Sequence, residues 1–463
     1  MMLKLKPLIA SCAIAFGFCL QAPAVFAQAK VQDISAELWQ KLPQGYQVVD
    51  CGFTAAPGHR NPWWNCLGYS EGKEPKSFLW LVPVQENGIL GQGVLVNPPA
   101  REAFSRNSFS ALGLQNTLLE VYFNPNPTVV GFAIPPSSAN NFIDLKQLWK
   151  YSPVSPWGKE TNLTVTQAEV LSDSSYMVSM RVSDEDMSTE IRNGFSVVHL
   201  GNNGQKIWQY TYKQATPKNL LPDSYEASAI LPRKFFNAFG HTTVIYGTTY
   251  GSDGDNKTAI NTSFLICLTA EGKEMNRQFF KDQYFYKAVQ WPELGFGWEG
   301  FSFIDTKSDK GEDSYFMLSI FDQDCKQTRN LPLAILPKHG FDRVFNEVKA
   351  TAMAPSGDLL MVYLQNGIKE GSDDDENLNL YLAQFNTKGE LVNDRGIITG
   401  QDENKAYLTS GGRDYDPLKT TLGVLEKTNE VLISIHNLGI DSEDDPEKPL
   451  NFGRPRIYLI KLP

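Results

Sequence analysis

A hairpin pattern that occurs five times constrains the fold of this chain more than any other feature. In each copy an apolar strand ends at an anchor residue, three mostly polar residues follow, and glycine or, once, cysteine comes fourth. The anchors are Val84, Leu200, Leu268, Phe321 and Phe385, and the fourth positions are Gly88, Gly204, Gly272, Cys325 and Gly389. Glycine readily adopts the left-handed backbone conformation that tight hairpin turns need. The pattern therefore predicts five β-hairpins.

The spacing of the anchors indicates a structural unit of about 63 residues. Two more apolar strands precede the later hairpins, for example within Ala350–Leu364 and Leu422–His436. Four strands per unit, repeated radially, are typical of a β-propeller. We predict an all-β protein in which residues 46–463 form a single propeller of seven four-stranded blades. Six blades are the alternative, because the stretch between Val84 and Leu200 is irregular.

The N-terminus has the features of a secretory signal. Lys4 and Lys6 precede a short apolar run, and Val25–Ala27 supplies the small residues that signal peptidase selects. We predict a cleaved signal over residues 1–27, an N-terminal segment over 28–45, and a periplasmic or secreted protein without a transmembrane anchor. The alternative is lipid attachment at Cys12, since "IASC" resembles a loose lipobox.

Four cysteines follow the predicted signal, and in an oxidising compartment they allow three pairings. We favour Cys51–Cys66, which closes a turn-rich segment, and then Cys267–Cys325. The last repeat unit ends after its third strand, so its outer strand has to come from elsewhere in the chain. We expect Tyr46–Asp50 to supply that strand and the Cys51–Cys66 disulfide to hold the closed ring.

The segment "HLGNNGQKIWQY", which contains Trp208, resembles the blade repeat of the quinoprotein-like propellers. That resemblance implies a propeller in which the tryptophan docks between blades. It does not imply quinone chemistry, because the catalytic members carry two adjacent cysteines and this chain has none. The resemblance is to the non-catalytic periplasmic branch, whose members bind other proteins.

Acidic segments recur between the second and third strands of the predicted units. Together they contain more excess negative charge than the whole chain, whose net charge is −10. Because equivalent connections of a propeller lie on one face, we expect an acidic face that includes Asp184, Glu185, Asp186, Asp373, Asp374, Asp375, Glu376, Glu443, Asp444 and Asp445.

Three interpretations of the acidic segments stay open. They are solvated loops that keep the protein soluble, or they bind Ca²⁺, for which Asp253 and Asp255 in "DGDN" are the nearest match. The third interpretation is a docking face for a basic protein partner, since opposite charge speeds encounter and rejects acidic surfaces. Nucleic acid is disfavoured as a partner because its phosphates would be repelled.

Other candidate sites are few. Trp63 and Trp64 are adjacent in a predicted strand and therefore point to opposite faces. Either both pack in the core, or one lies in the core and the other is a candidate anchor for a partner. The match of "GYSEG" to a nucleophile elbow lacks the following helix that this motif needs. We predict no catalytic residue and no firm cofactor.

Three classes of function are compatible with these features. The first is a monomeric, non-catalytic propeller that binds a protein through its acidic face, as an immunity or inhibitor protein or as an envelope assembly factor. The second is a propeller hydrolase or lyase with a Ca²⁺-assisted axial pocket for a sugar or lactone, whose carboxylates would leave no linear motif. The third is a structural module without a discrete site.

Overall fold

The fold is taken from a computed structural model of the chain. The described residues are 31–42, 44–54, 62–70, 77–85, 88, 90–91, 93–97, 110–112, 117–122, 128–133, 143–144, 146–155, 161–171, 175–184, 194–212, 226–238, 242–252, 262–281, 287–289, 301–307, 315–322, 324–368, 377–399, 418–437 and 455–463.

The described strands form seven sheets. The chain begins with strand β1 (Val31–Asp33) and the short helix α1 (Ser35–Trp39). Sheet 1 contains β2 (Tyr46–Thr54), β3 (Trp63–Ser70), β4 (Ser77–Pro83), β5 (Val94–Asn97) and β9 (Ile143–Asp144). Sheet 2 contains β6 (Ser110–Leu112), β7 (Thr117–Tyr122), β8 (Thr128–Ala133) and β10 (Lys146–Tyr151). Sheet 3 contains β11 (Thr161–Val170), β12 (Tyr176–Asp184), β13 (Gly194–Leu200) and β14 (Lys206–Tyr212). Sheet 4 contains β15 (Glu226–Ala238), β16 (Thr242–Ser252), β17 (Thr262–Leu268) and β18 (Glu274–Lys281). Sheet 5 contains β19 (Lys287–Val289), β20 (Phe301–Lys307), β21 (Tyr315–Phe321) and β22 (Gln327–Pro332). Sheet 6 contains β23 (Arg343–Met353), β24 (Leu359–Ile368), β25 (Asn377–Phe385) and β26 (Leu391–Ile398). Sheet 7 contains β27 (Leu418–Leu425), β28 (Glu430–Asn437), β29 (Arg456–Lys461) and, at its outer edge, β1.

Neighbouring sheets pack face to face, as in a propeller. The first strands of successive sheets lie side by side, β6 with β11, β11 with β15, β19 with β23, β23 with β27, and β27 with β2. Among the described strands, every pair is antiparallel except β5 with β9. The first strand of each sheet therefore lies toward the centre and the fourth strand lies at the rim.

The core lies between adjacent sheets, and sheet 6 shows how the sequence produces it. Along β25 the side chains alternate: Leu380 and Leu382 pack toward sheet 7, whereas Tyr381 and Ala383 pack toward sheet 5. Successive residues of a strand point to opposite faces, so a strand that is apolar on both faces fits a sheet covered on both sides. This explains why the central strands read as nearly continuous apolar runs.

The five predicted hairpin turns are confirmed. Gly88, Gly204, Gly272 and Gly389 have φ between 76° and 80°, and Cys325 has φ 57°. In each turn the amide of this residue donates to the carbonyl three residues earlier, as from Gly204 to Gly201 at 2.9 Å. The backbone conformation that the glycine pattern predicts is therefore present in every copy.

The N-terminal strand that completes sheet 7 is β1, so our assignment of this role to Tyr46–Asp50 is wrong. Val31, Gln32 and Asp33 pair with the last strand β29, and the amide of Ile34 donates to the carbonyl of Ile457 at 2.9 Å. Tyr46–Thr54 is instead the first strand of sheet 1 and pairs with β3. The predicted N-terminal segment 28–45 thus contributes a strand to the propeller.

Both predicted disulfides are present. Cys51 and Cys66 are direct cross-strand partners within sheet 1. This disulfide holds a hairpin and does not hold the closure of the ring, which corrects our expectation. Cys267 and Cys325 connect sheet 4 to the β21–β22 turn of sheet 5. Two disulfides are typical of proteins that fold in an oxidising compartment.

The all-β propeller architecture is confirmed, but the predicted number of blades is not. Five propeller blades are recognised in the arrangement of the strands, whereas we expected seven blades, with six as the alternative. The described strands nevertheless group into seven sheets. The irregular part is where the sequence indicated it, because the sheet 1 strand β9 lies in the chain between β8 and β10 of sheet 2.

Candidate functional site

The predicted acidic face falls largely outside the described residues. Asp184 is the last residue of β12. The other predicted partner-binding carboxylates lie outside the described ranges, namely Glu185, Asp186, Asp373, Asp374, Asp375, Glu376, Glu443, Asp444 and Asp445. The strands on either side are described, and in sheets 3, 4, 5, 6 and 7 the acidic segment connects the second strand to the third.

The candidate Ca²⁺ ligands, Asp253 and Asp255, also lie outside the described ranges. Within those ranges, histidine, cysteine, aspartate and glutamate side chains form no group of three or more that could hold a metal ion. Ca²⁺ binding at "DGDN" stays a prediction.

Trp63 and Trp64 point to opposite faces of β3, as the alternation of a strand requires. Trp64 is fully buried, and its ring meets that of Phe53 at a centroid distance of 5.1 Å. Trp63 is half-buried. Because Trp64 exposes no surface in this structure, Trp63 is the one of the pair that could contact a partner.

A polar cluster that we did not predict lies on sheet 6. The carboxylate of Asp394 on β26 lies 2.9 Å from Nε2 of His339 and accepts hydrogen bonds from the Tyr363 hydroxyl at 3.0 and 3.2 Å. The His339 ring stacks on Tyr381 at a centroid distance of 4.0 Å. We call these four residues the sheet 6 cluster.

The connection between β22 and β23 positions His339 over the cluster. The Asp342 amide donates to the Ile368 carbonyl at 3.0 Å, and the Gln365 side chain donates to the Pro337 carbonyl at 3.0 Å. Both contacts join the connection to β24. Tyr363 and Tyr381 are direct cross-strand partners near the middle of β24 and β25, so the cluster lies over the middle of sheet 6.

Burial changes the ionisation of the two tyrosines in the sheet 6 cluster. Desolvation, with the nearby Asp394 charge, raises the pKa of Tyr381 to about 12. The same two causes, together with the hydrogen bond to Asp394, raise the pKa of Tyr363 further. Both phenols therefore remain neutral at physiological pH. The cluster holds the His339 ring beside the Asp394 carboxylate, whose side chain is only 8% exposed. Its evident effect is to fasten the β22–β23 connection to sheet 6.

A second polar cluster joins sheets 3 and 4. The Tyr210 hydroxyl donates to Glu274 at 2.6 Å, and Arg277 donates to the same carboxylate through Nε at 2.9 Å. The guanidinium also lies over the Tyr212 ring, 4.7 Å from its centroid. Desolvation and the hydrogen bond to Glu274 raise the pKa of Tyr210. This cluster connects two neighbouring sheets at the rim.

The resemblance to quinoprotein-like propellers implies that Trp208 docks between neighbouring units. Among the described residues, two tryptophans pack in this way, each against a turn glycine of the next sheet. Trp208 of sheet 3 packs against Gly272 in the turn of sheet 4, and its indole N–H donates to the Ala270 carbonyl at 2.9 Å. Trp149 of sheet 2 packs in the same way against Gly204 of sheet 3. Our sequence reading found only Trp208. The shared signal is "QLWKY" beside "KIWQY".

No helix among the described residues is long and apolar enough to cross a membrane. The predicted signal over 1–27 lies outside the described ranges.

Comparisons with known proteins identify no family for this chain. No protein-family model matches the chain, and no curated protein matches it. The polysaccharide lyase Uly1 is 9% identical with a TM-score of 0.44, and the match covers 89% of each chain. An apocarotenoid oxygenase from Synechocystis is 9% identical with a TM-score of 0.38, over 92% of this chain and 96% of that one. The WD40 domain of SCAP from fission yeast is 9% identical with a TM-score of 0.36, and the match covers 91% of this chain and 98% of that one. Membership of the quinoprotein-like superfamily therefore stays a prediction.

Proposed function

We propose that this chain is a secreted or periplasmic, non-catalytic β-propeller that binds a basic protein partner through its acidic connections. One observation carries the proposal: in five sheets the acidic segment connects the second strand to the third. In antiparallel sheets of the same strand order, that connection always leaves the same end of the sheet. Five acidic segments would then share one face.

We infer that each of the seven sheets is one blade. Apolar clusters join sheets 2 and 3, 3 and 4, 5 and 6, 6 and 7, and 7 and 1. The Cys267–Cys325 disulfide joins sheets 4 and 5. These contacts support a ring in which the sheets follow one another in chain order.

Electrostatics favour a basic protein over other partners. The five segments contain more acidic excess than the net charge of −10 for the whole chain. A cationic surface would be attracted to such a face over about 10 Å at moderate salt, whereas nucleic acid would be repelled. An inhibitor that covers a basic active site and an envelope assembly factor both fit this chemistry. The protein would act as a monomer.

Affinity capture of partners from the native cell envelope tests the proposal. The protein without residues 1–27 is immobilised, and bound proteins are identified by mass spectrometry at low and at high salt. A partner of basic isoelectric point that is released at high salt would support the acidic face. Capture of no partner at either salt would contradict it and would favour an axial pocket for a sugar or lactone.

A further inference from the structure

The outer edge of sheets 2 and 3 combines exposed aliphatic side chains with lysines. Leu148 is 50% exposed, Val154 77% and Ile207 53%. Lys146, Lys150 and Lys206 are also exposed. We call these six residues the basic edge.

The two halves of the basic edge are physically joined. The Trp149 ring packs against the turn of sheet 3, where an added Cβ at Gly204 would lie 2.5 Å from the ring. Lys206 and Ile207 follow that turn directly. The outer strand of sheet 2 is therefore in contact with the turn that leads into the outer strand of sheet 3.

The charge of the basic edge is opposite to that of the protein as a whole. No aspartate or glutamate occurs in residues 146–155 or 200–212, although the chain has a net charge of −10. Lys206 donates to the neutral side chain of Gln209 at 3.3 Å. Among the described residues, Lys146 and Lys150 form no ion pair. Glu274 contacts Tyr210 of β14 but is neutralised by Arg277, so the lysines leave a local excess of positive charge at the edge.

We propose that the basic edge binds the surface of an anionic phospholipid bilayer. Lysines are attracted to lipid phosphates, and aliphatic side chains enter the boundary between headgroups and acyl chains. The edge lies on the convex rim, where β10 and β14 each end their sheet. A broad, flat membrane surface can reach such a rim, and its charge complements that of the lysines. The acidic connections would repel the same membrane and remain available for a partner.

Vesicle flotation tests the proposal. The protein is mixed with vesicles of phosphatidylcholine alone or of phosphatidylcholine with phosphatidylglycerol, at low salt. We expect flotation with the anionic vesicles only. A Lys146→Glu, Lys150→Glu, Lys206→Glu variant should partition at least about 100-fold less, since each lysine near an anionic surface contributes about fivefold. A control with the same charge change, Lys326→Glu, Lys388→Glu, Lys461→Glu, alters exposed lysines elsewhere and should float like the wild type.

A second variant separates apolar insertion from charge. Leu148→Ser, Val154→Ser, Ile207→Ser leaves the lysines in place and should reduce partitioning by about tenfold per side chain. Equal flotation with both vesicle types, or unchanged flotation of the three-lysine variant, would overturn the proposal. Absence of flotation would also overturn it. Retention on a polyglutamate resin through the same lysines would then favour an acidic polypeptide as the ligand.

Discussion

Cys325 occupies the turn position that glycine holds in the other four hairpins, and its sulfur is bonded to Cys267 of the neighbouring sheet. The Asn276 and Gln278 side chains of sheet 4 also donate to the Cys325 carbonyl, at 3.0 and 2.6 Å. In the aligned strand of sheet 3, Trp208 occupies the position of Asn276 and packs on a turn glycine. Between sheets 4 and 5, a disulfide and two side-chain amides thus replace the tryptophan–glycine contact that joins sheets 3 and 4.

Removing the disulfide between the sheets should destabilise the protein. Cys267 and Cys325 are 58 residues apart, and closing a loop of that size contributes about 4 kcal/mol in the chain-entropy model. We expect a loss of that order in the free energy of unfolding of Cys267→Ala, Cys325→Ala, measured by denaturant titration.

The turn conformation at Cys325 adds a further test of the same contact. Alanine at φ 57° costs about 1 kcal/mol more than glycine. Cys267→Ala, Cys325→Gly should therefore be the more stable of the two double variants. Equal stabilities would show that the turn conformation contributes nothing there.

Gly204→Ala should destabilise the protein by about 3 kcal/mol, as measured by denaturant titration. The new methyl group would meet the Trp149 ring at 2.5 Å in a backbone conformation with φ 78°. Gly340→Ala is the matched control, because Gly340 has φ 88° and no heavy atom within 4 Å of the added Cβ. The control should cost only about 1 kcal/mol. If both variants lose the same stability, the Trp149 contact between sheets 2 and 3 does not determine which residues position 204 tolerates.

Tyr381 should make the protein less stable at alkaline pH. Burial raises its pKa to about 12 in the folded protein, whereas an accessible tyrosine has a pKa of about 10. The unfolded chain therefore releases this proton first, and stability falls as pH rises from 10 toward 12. A tyrosine with a pKa raised in this way lowers the free energy of unfolding by about 1.4 kcal/mol for each pH unit between 10 and 12.

The Tyr381→Phe variant isolates this effect. Urea titrations at about pH 9 and about pH 11 should show a smaller alkaline loss for the variant, by about 1.4 kcal/mol. Tyr363, whose pKa is also raised, should add to the loss that remains. An identical pH dependence in wild type and variant would refute the assignment of a shifted pKa to Tyr381.

The two adjacent tryptophans should behave differently when each is replaced by alanine. Trp64 is fully buried, so Trp64→Ala should cost about 3 to 5 kcal/mol of stability. Trp63 is half-buried, so Trp63→Ala should cost less and is the variant to assay for weakened partner capture. Thermal unfolding of both variants checks this order, and a larger loss for Trp63→Ala would contradict the assigned faces.

The sequence was most informative where backbone conformation is encoded locally. A single residue with positive φ marks each hairpin, so Gly204 and Gly389 could be placed without any knowledge of tertiary structure. The closing strand could not be found in this way. Val31–Asp33 is only three residues long, and Tyr46–Thr54 has the stronger strand pattern. The choice between them depends on which strand pairs with β29, and that is a long-range property.

The sheet 6 cluster was missed for a similar reason. His339, Tyr363, Tyr381 and Asp394 come from three strands and one connection, so no spacing in the sequence brings them together. Trp149 left a detectable signal in "QLWKY", but the irregular stretch around sheets 1 and 2 concealed its equivalence to Trp208.

Charge reversal in one acidic connection tests the central claim most directly. The variant Asp373→Lys, Asp374→Lys, Asp375→Lys changes the segment between β24 and β25, and binding of the captured partner is measured at low and high salt. The matched control, Glu271→Lys, Asp324→Lys, Glu426→Lys, reverses three exposed carboxylates in turns at the opposite end of their sheets. The account predicts that the first variant binds at least about tenfold more weakly with an unchanged melting temperature, and that the control binds like the wild type. Unchanged binding in the first variant, or an equal loss in the control, would contradict the acidic face as the docking site.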